Sequence, residues 1–254
     1  MVIKEVFPNP TVKKVVFQIR FPNLFSMENM IGDYQLKIME KFPNSKLIFQ
    51  RNILIAQMGP EAKIEELPED LSSAAVTKIW NFISEKGVEL NVQNNSLDIT
   101  SSLHKTYNNP DEEVRFRDSI KFTLDSFFEV TNIPKLKRIG LRYIDDCPVP
   151  AKESKSFKEH YNSTFKLDRF PIENAVEMSF TARVKRNDHF LRFRESLKDI
   201  DGNLKFTLDF DSYAFDVQSK DYLSVTDSFH QLISDEYETI IKEPIYDYMR
   251  KAKE

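Results

Sequence analysis

Apolar residues recur at every second position in several short segments of the chain, and this period is typical of half-buried β-strands. The first predicted strand covers residues 12–21, in which Val15 and every second residue up to Phe21 are apolar. Its β-branched and aromatic content favours the same structure. Further strands are predicted at 46–56, 78–84, 88–93, 97–102, 136–145, 176–184, 190–197 and 204–213.

Apolar residues that recur every three or four positions predict four main helices. They are expected at 26–42, 111–130, 156–165 and from Ser224 to about residue 249. Asp111 is predicted to cap the second helix, because a side-chain oxygen there can accept from the first backbone N–H groups. Pro244 is predicted to kink or divide the last helix.

The order of the predicted elements restarts near the middle of the chain. The first part reads strand, helix, four strands, helix, and the second reads strand, helix, three strands, helix. Two pairs of segments also echo each other: VVFQIRFP at 15–22 with RIGLRYID at 138–145, and RDSIKFTLDSFF at 117–128 with TDSFHQLISDEY at 226–237. The pattern favours a duplication with units at 1–134 and 135–254 in one integrated molecule, although unrelated amphipathic elements also look alike by composition.

Elements of this kind predict an α+β fold, because each sheet face or helix stripe that is apolar must be buried against another element. We expect duplicated β-α-β-β-β(-β)-α units that form curved antiparallel sheet or sheets with helices packed on one face. The other face would carry the polar side chains of the strands.

Charge and cysteine content narrow the class of protein. The formal net charge of −4 argues against general nucleic-acid binding, which usually needs a cationic excess. Cys147 is the only cysteine, so no intrachain disulfide can form, as fits a reducing compartment. No stretch approaches the roughly 20 apolar residues of a membrane-spanning helix, and the N-terminus lacks a secretory signal. We therefore expect a soluble, cytoplasmic protein without membrane contacts.

Three segments of the chain look like one prokaryotic family: FPNPTVKKVVFQIRFP at 7–22, IGLRYIDDCPVP at 139–150 and HQLISDEYETII at 230–241. In these motifs the chain resembles a sporadically distributed group of proteins of about this length that are generally described as uncharacterised. The resemblance spans nearly the whole chain and implies one full-length unit rather than a fusion. It implies no catalytic residue or substrate, and the scattered distribution suggests an accessory or defence-type role.

Cationic side chains concentrate at the outward positions of the predicted strands. Arg20 and Arg142 occupy equivalent places if the chain is duplicated. Arginine binds carboxylate or phosphate bidentately, so such a face suits an anionic ligand or partner. The structural alternative is a lattice of cross-strand ion pairs that only stabilises the sheet. The candidate ligand-binding residues are Arg20, Arg142, Arg183, Arg192, Arg194 and Lys205.

Asp209 and Asp211 are the candidate metal ligands. They alternate with apolar residues, so both carboxylates leave one face of a strand about 6–7 Å apart, a separation that one hydrated divalent cation could bridge. Asp145 or Glu195 would have to join them as a third ligand. The four histidines have no metal-ligand spacing. No cofactor is predicted.

Three functions follow from these patterns. The first is a non-enzymatic binding protein that uses the polar sheet face for an unknown protein or a small anionic ligand. The second is a metal-dependent hydrolase or nuclease centred on Asp209 and Asp211. The third is an interaction protein that assembles as a homo-oligomer through its sheet edges or its last helix.

Overall fold

The computed structural model describes residues 6–51, 76–104, 106–108 and 115–251. The strands in this part of the chain form one antiparallel sheet, and the predicted α+β class is confirmed. The strands are β1 (Val12–Arg20), β2 (Asn44–Arg51), β3 (Val76–Ile83), β4 (Glu89–Gln93), β5 (Ser96–Ser101), β6 (Lys135–Cys147), β7 (Glu177–Arg186), β8 (His189–Ile200) and β9 (Asn203–Gln218).

The helices are α1 (Met27–Ile38), α2 (Phe116–Thr131), α3 (Ser154–His160), α4 (Tyr222–Ile240) and α5 (Glu243–Arg250). Pro244 lies in the first turn of α5, where a proline is tolerated, so the predicted division of the last helix is confirmed. Asp111 and the end of the predicted strand at 46–56 lie outside the described residues. Within the described ranges no helix has the length and apolar character needed to cross a membrane.

The order of the strands across the sheet is β2-β3-β4-β5-β1-β6-β9-β8-β7. The strands that open the two predicted halves, β1 and β6, therefore pair with each other at the centre. Their antiparallel register places Phe17 opposite Leu141 and Gln18 opposite Gly140. Residues 1–134 and 135–254 thus contribute to one continuous sheet.

The helices pack on a single face of this sheet. Tyr34 of α1 contacts Phe82 of β3 edge-on. Tyr237 of α4 contacts Phe210 of β9 in the same way. The strand register puts both phenylalanines on the face that also carries Phe17, so the core lies between this face and the helices. The opposite face, which we call the open face, carries the polar residues of each strand.

The two-residue period of the strands and the apolar stripes of the helices also predict which side chains are buried in the core, and these predictions are correct except at the sheet edge. Phe180 points toward the helix side, yet 38% of its surface is exposed, so its predicted burial is wrong. The reason is position, since β7 is the outermost strand and neighbours cover its side chains from one side only. The remaining predicted core residues are buried: Phe17, Ile19, Ile120, Leu124, Phe206, Leu208, Phe229 and Ile233.

A buried carboxyl group lies inside this core near the end of β6. The Thr11 hydroxyl donates to Asp145 Oδ1 at 2.9 Å and also lies 2.6 Å from the Tyr237 hydroxyl. Burial raises the pKa of the Asp145 carboxyl to about 7, and the hydrogen bond from Thr11 only partly opposes this shift. The neighbouring Cys147 is a free, buried thiol whose pKa burial also raises.

Replacing Asp145 by Asn should change how stability depends on pH. The ordinary pKa of 3.8 is raised to about 7 in the folded protein, so this group disfavours folding progressively as pH rises from about 4 to about 7. Removing the charge should stabilise the variant relative to wild type by up to about 4 kcal/mol at pH 8 and by little at pH 4. Urea denaturation across this pH range measures the difference, and a difference that does not change with pH would contradict the prediction.

Two phenylalanine-to-alanine variants test the depth of the core. Phe206→Ala removes a fully buried ring and should cost about 3–5 kcal/mol. Phe180→Ala removes a ring at the exposed edge of the same layer and should cost on the order of 1 kcal/mol. Urea denaturation of the two proteins gives the comparison, and equal losses would mean that the edge is as well covered as the centre.

Candidate functional site

The open face gathers every candidate site residue predicted from the sequence. Arg20 lies on β1, Arg142 on β6 and the other candidates on β7, β8 and β9, and the pairing register places all of them on the same side of the sheet. The covered face holds no member of this set. The open face is therefore the candidate binding surface.

Two arginines of β6 bind the two carboxylates of β9. Arg142 donates from Nε and Nη2 to the two oxygens of Asp209, at 2.7 Å each, and this hydrogen bonding raises the pKa of Arg142. Arg138 donates from Nη2 to both oxygens of Asp211 at 2.9 Å. Such charge-assisted contacts to two oxygens are the strong form of the arginine–carboxylate interaction. Both candidate metal ligands, Asp209 and Asp211, are thus already bound to arginine side chains.

Gly140 and Tyr213 explain how Arg138 reaches Asp211. A Cβ atom at position 140 would come within 2.9 Å of Arg138 Nη1, so the guanidinium group lies directly over the glycine. The same group lies 4.6 Å from the centre of the Tyr213 ring, within range for a cation–π contact. Tyr213 in turn stacks on Phe190 of β8.

These ion pairs take up the two carboxylates that lie opposite the arginines of β8. Asp211 lies directly opposite Arg192, and Asp209 lies directly opposite Arg194, but both carboxylates bind β6 instead. Among the described residues, Arg194 donates to the Ser179 hydroxyl alone, at 3.4 Å. Within the described ranges, no carboxylate lies in ion-pair distance of Arg192 or of its neighbours Arg194 and Arg183.

Like charges also face each other across β7 and β8. Arg183 lies directly opposite Arg192 in the register of these two strands. Opposed like charges on paired strands are destabilising. On β6 and β9, by contrast, the arginines bind carboxylates of the neighbouring strand. We call Arg183, Arg192 and Arg194 the β7–β8 arginine cluster.

The remaining predicted cations are compensated or lie elsewhere on the open face. Lys205 Nζ lies 3.4 Å from Asp146 in an exposed ion pair. Arg20 donates to the Gln18 side chain and lies opposite Arg138. Arg20 and Arg142 thus stand on either side of the central Gln18–Gly140 pair rather than next to each other.

The proposed third metal ligands lie on the wrong side of the sheet. Asp145 of β6 and Glu195 of β8 both lie opposite Leu208 of β9, whose side chain is buried in the core. Both carboxyl groups therefore point to the helix side of the sheet. Glu195 binds the Ser163 hydroxyl at 2.7 Å and the Thr164 backbone N–H at 3.0 Å. The described residues contain no group of three or more His, Cys, Asp and Glu side chains arranged to hold a metal ion.

A second titratable cluster lies within the helix layer. Asp227 of α4 accepts hydrogen bonds from the Tyr107 hydroxyl at 2.7 Å and from Arg117 Nε at 2.8 Å. His230 stacks on Tyr107 with ring centroids 4.8 Å apart, and burial lowers the pKa of His230 to about 4. The imidazole is therefore neutral at pH 7. These contacts tie α4 to α2 and to the loop before it, which is a structural role.

Sequence reasoning missed Arg138 and the aromatic side chains on the open face. Arg138 has the same outward parity as Arg142 in the predicted strand, and this was the signal that could have found it. Phe190, Tyr213 and Phe215 form a cluster with ring centroids 5.4 to 5.7 Å apart. Their meeting depends on the pairing of β8 with β9, which only the register reveals.

No family model, curated protein or solved structure matches the chain. What the open face can do follows from its own side chains. The three neighbouring arginines of the β7–β8 arginine cluster, which have no carboxylate partner among the described residues, can bind carboxylate or phosphate groups, since each guanidinium presents paired donors in a fixed geometry.

A cation titration should separate the two candidate chemistries of Asp209 and Asp211. Wild-type protein should show no binding heat with roughly millimolar Mg²⁺ or Mn²⁺, because a cation would first have to displace two guanidinium groups. The double variant Arg138→Leu/Arg142→Leu frees both carboxylates, and any cation binding that it gains should stay weak, because Asp145 and Glu195 lie on the covered face. Its circular dichroism spectrum must be native for this comparison. Tight binding by the wild type would instead favour the metal-dependent hydrolase.

Proposed function

We propose that this protein is a non-enzymatic binding protein that holds an anionic partner at the β7–β8 arginine cluster of the open face. The observation that carries the proposal is the uneven compensation of charge. Arg138 and Arg142 each bind a carboxylate through both of its oxygens, whereas Arg183 and Arg192 face each other without one. An anionic group placed between these two side chains would supply the missing charge.

Anion binding at the cluster should gain more free energy than the opposed arginines cost the unbound sheet. Opposed like charges on neighbouring strands cost roughly 0.2–1 kcal/mol per pair, which a stable sheet tolerates. The cost is recovered when a carboxylate or phosphate binds, because contacts of an ionised group with arginine are worth roughly 1.5–3 kcal/mol each. The free protein is therefore prepared for an anion at this place and not at the compensated β6–β9 ladder.

We further propose that the two halves of the chain derive from a duplicated unit. The order of strands supports this, since β5-β4-β3 run outward from β1 as β9-β8-β7 run outward from β6. Arg20 and Arg142 also lie two positions from the Gln18–Gly140 pair, one on each strand, as a two-fold relation would require. In this proposal the second half has lost the equivalent of β2 and has acquired the anion-binding cluster.

Calorimetry with two simple anions tests the proposed function. Hexaglutamate and inorganic tripolyphosphate supply carboxylates and phosphates without any other recognition group. The double variant Arg183→Ala/Arg192→Ala should bind the anion that wild type prefers at least about tenfold more weakly, while its unfolding free energy stays within about 0.5 kcal/mol of wild type. Binding should also weaken with added salt, because exposed charges are screened.

Arg20→Ala is the matched control. It removes an exposed arginine from the same face but away from the cluster, so anion affinity should be unchanged. Equal losses in the control and in the double variant would reduce the effect to overall charge. Destabilisation of the double variant with unchanged affinity per folded molecule would show that the arginines are structural.

A further inference from the structure

The edge of the sheet next to the arginine cluster is open for another strand. β7 runs for ten residues in unbroken register with β8, and in the described part of the chain no strand pairs with its second edge. An edge strand presents a row of backbone N–H and C=O groups that can hydrogen-bond to an added strand. The strand contains no proline, so no backbone donor is missing from its ten residues.

The helix side of this edge has a cavity whose lining is mainly apolar and also includes Lys166 and Arg169 of the preceding loop. The cavity, of about 560 Å³, lies beside β7, between the strand and the loop that precedes it. Phe170, Val176 and Phe180 line it, and they are 55%, 76% and 38% exposed. Glu195 binds the backbone N–H of Thr164, so one wall of the cavity is anchored to β8.

The open-face side of the same edge is cationic. Arg183 and Lys185 project from β7 to this side, with Arg192 and Arg194 on the next strand. Along the middle of β7 its side chains thus differ between the two sides, with Arg183 and Lys185 on one and Phe180 and Val184 on the other. Because side chains alternate between the faces of a strand, an added strand would meet both sides at once, with a period of two residues.

We infer that the anionic partner is an extended polypeptide strand that adds to the free edge of β7 and alternates acidic with large apolar residues. This inference rests on the proposed function and names the partner class of the same site. The backbone of the added strand would hydrogen-bond to the free edge of β7. Its carboxylates would lie over Arg183 and Lys185, and its apolar side chains would enter the cavity beside Phe180. Strand addition of this type gives affinity through the main chain and specificity through alternate side chains.

Other occupants fit only part of the surface. A nucleic-acid strand could contact the arginines, but it lacks the regular amide row that the β7 edge would pair with. A second copy of the chain could pair through β7, but it would bring another arginine cluster toward the first, and like charges at close range disfavour association. Only an acidic strand meets the edge, the cations and the cavity together.

Fluorescence anisotropy with labelled ten-residue peptides tests the inference, since ten residues match the length of β7. The probe alternates glutamate with valine, and the control has the same composition with all glutamates in one block. The alternating peptide should bind at least about tenfold more tightly than the block peptide. Phe180→Asp should weaken binding of the alternating peptide by a similar factor, whereas Lys46→Asp on the opposite edge strand β2 should not.

Backbone methylation tests the hydrogen-bonded edge directly. In an extended alternating peptide the amides of the glutamates point to one edge and those of the valines to the other. Methylating one set should abolish binding and methylating the other should preserve it, because only one edge of the peptide faces β7. Binding that survives both methylations would overturn strand addition.

The remaining outcomes separate the inference from the proposed function. If hexaglutamate binds as tightly as the alternating peptide, the site recognises charge alone, so the inference fails while the proposed function stands. If neither peptide nor any simple anion binds, the proposed function fails as well. A dimer in light scattering that Phe180→Asp dissociates would show that a second copy occupies the edge, and this would also overturn the inference.

Discussion

The pairing of β1 with β6 is the interaction on which the rest of the structure depends. These strands come from opposite halves of the chain, and their antiparallel register joins the two halves into one sheet. On the covered face the pairing sets Phe17 against Leu141 at the centre of the core. On the open face it places Arg138 and Arg142 at the middle of the sheet, where they meet the carboxylates of β9.

The distribution of charge on the open face follows from that central position. The Arg138 guanidinium lies over Gly140 and against the Tyr213 ring. From this position it binds the Asp211 carboxylate. Asp209 likewise binds an arginine of β6, Arg142. The carboxylates are thereby drawn toward the middle of the sheet, and in the described part of the chain the arginines nearer its edge have no carboxylate partner.

Much of the fold was predictable because strand and helix periods are local properties of the chain. The strand at 204–213 and the division of the last helix at Pro244 were predicted from neighbouring residues and are present. The Asp201-Gly202 dipeptide before this strand is typical of a hairpin turn and joins β8 to β9. Both turn residues have positive φ, as the favoured two-residue hairpin turn requires. The face on which Asp209 and Asp211 lie was also predictable, because alternation alone assigns it.

The sequence by itself determined the α+β class, the outward side of the strands that carry the candidate residues, and most of the cations on that side. Only the tertiary structure decided which strands are neighbours, and therefore which charges meet. Alternation within β6 and β8 already puts Asp145 and Glu195 on the covered face, away from Asp209, whereas Phe180 was left exposed because β7 became an edge. The physical reason is that side-chain alternation is fixed within a strand, whereas pairing, edges and ion-pair choice depend on contacts between residues far apart in the chain.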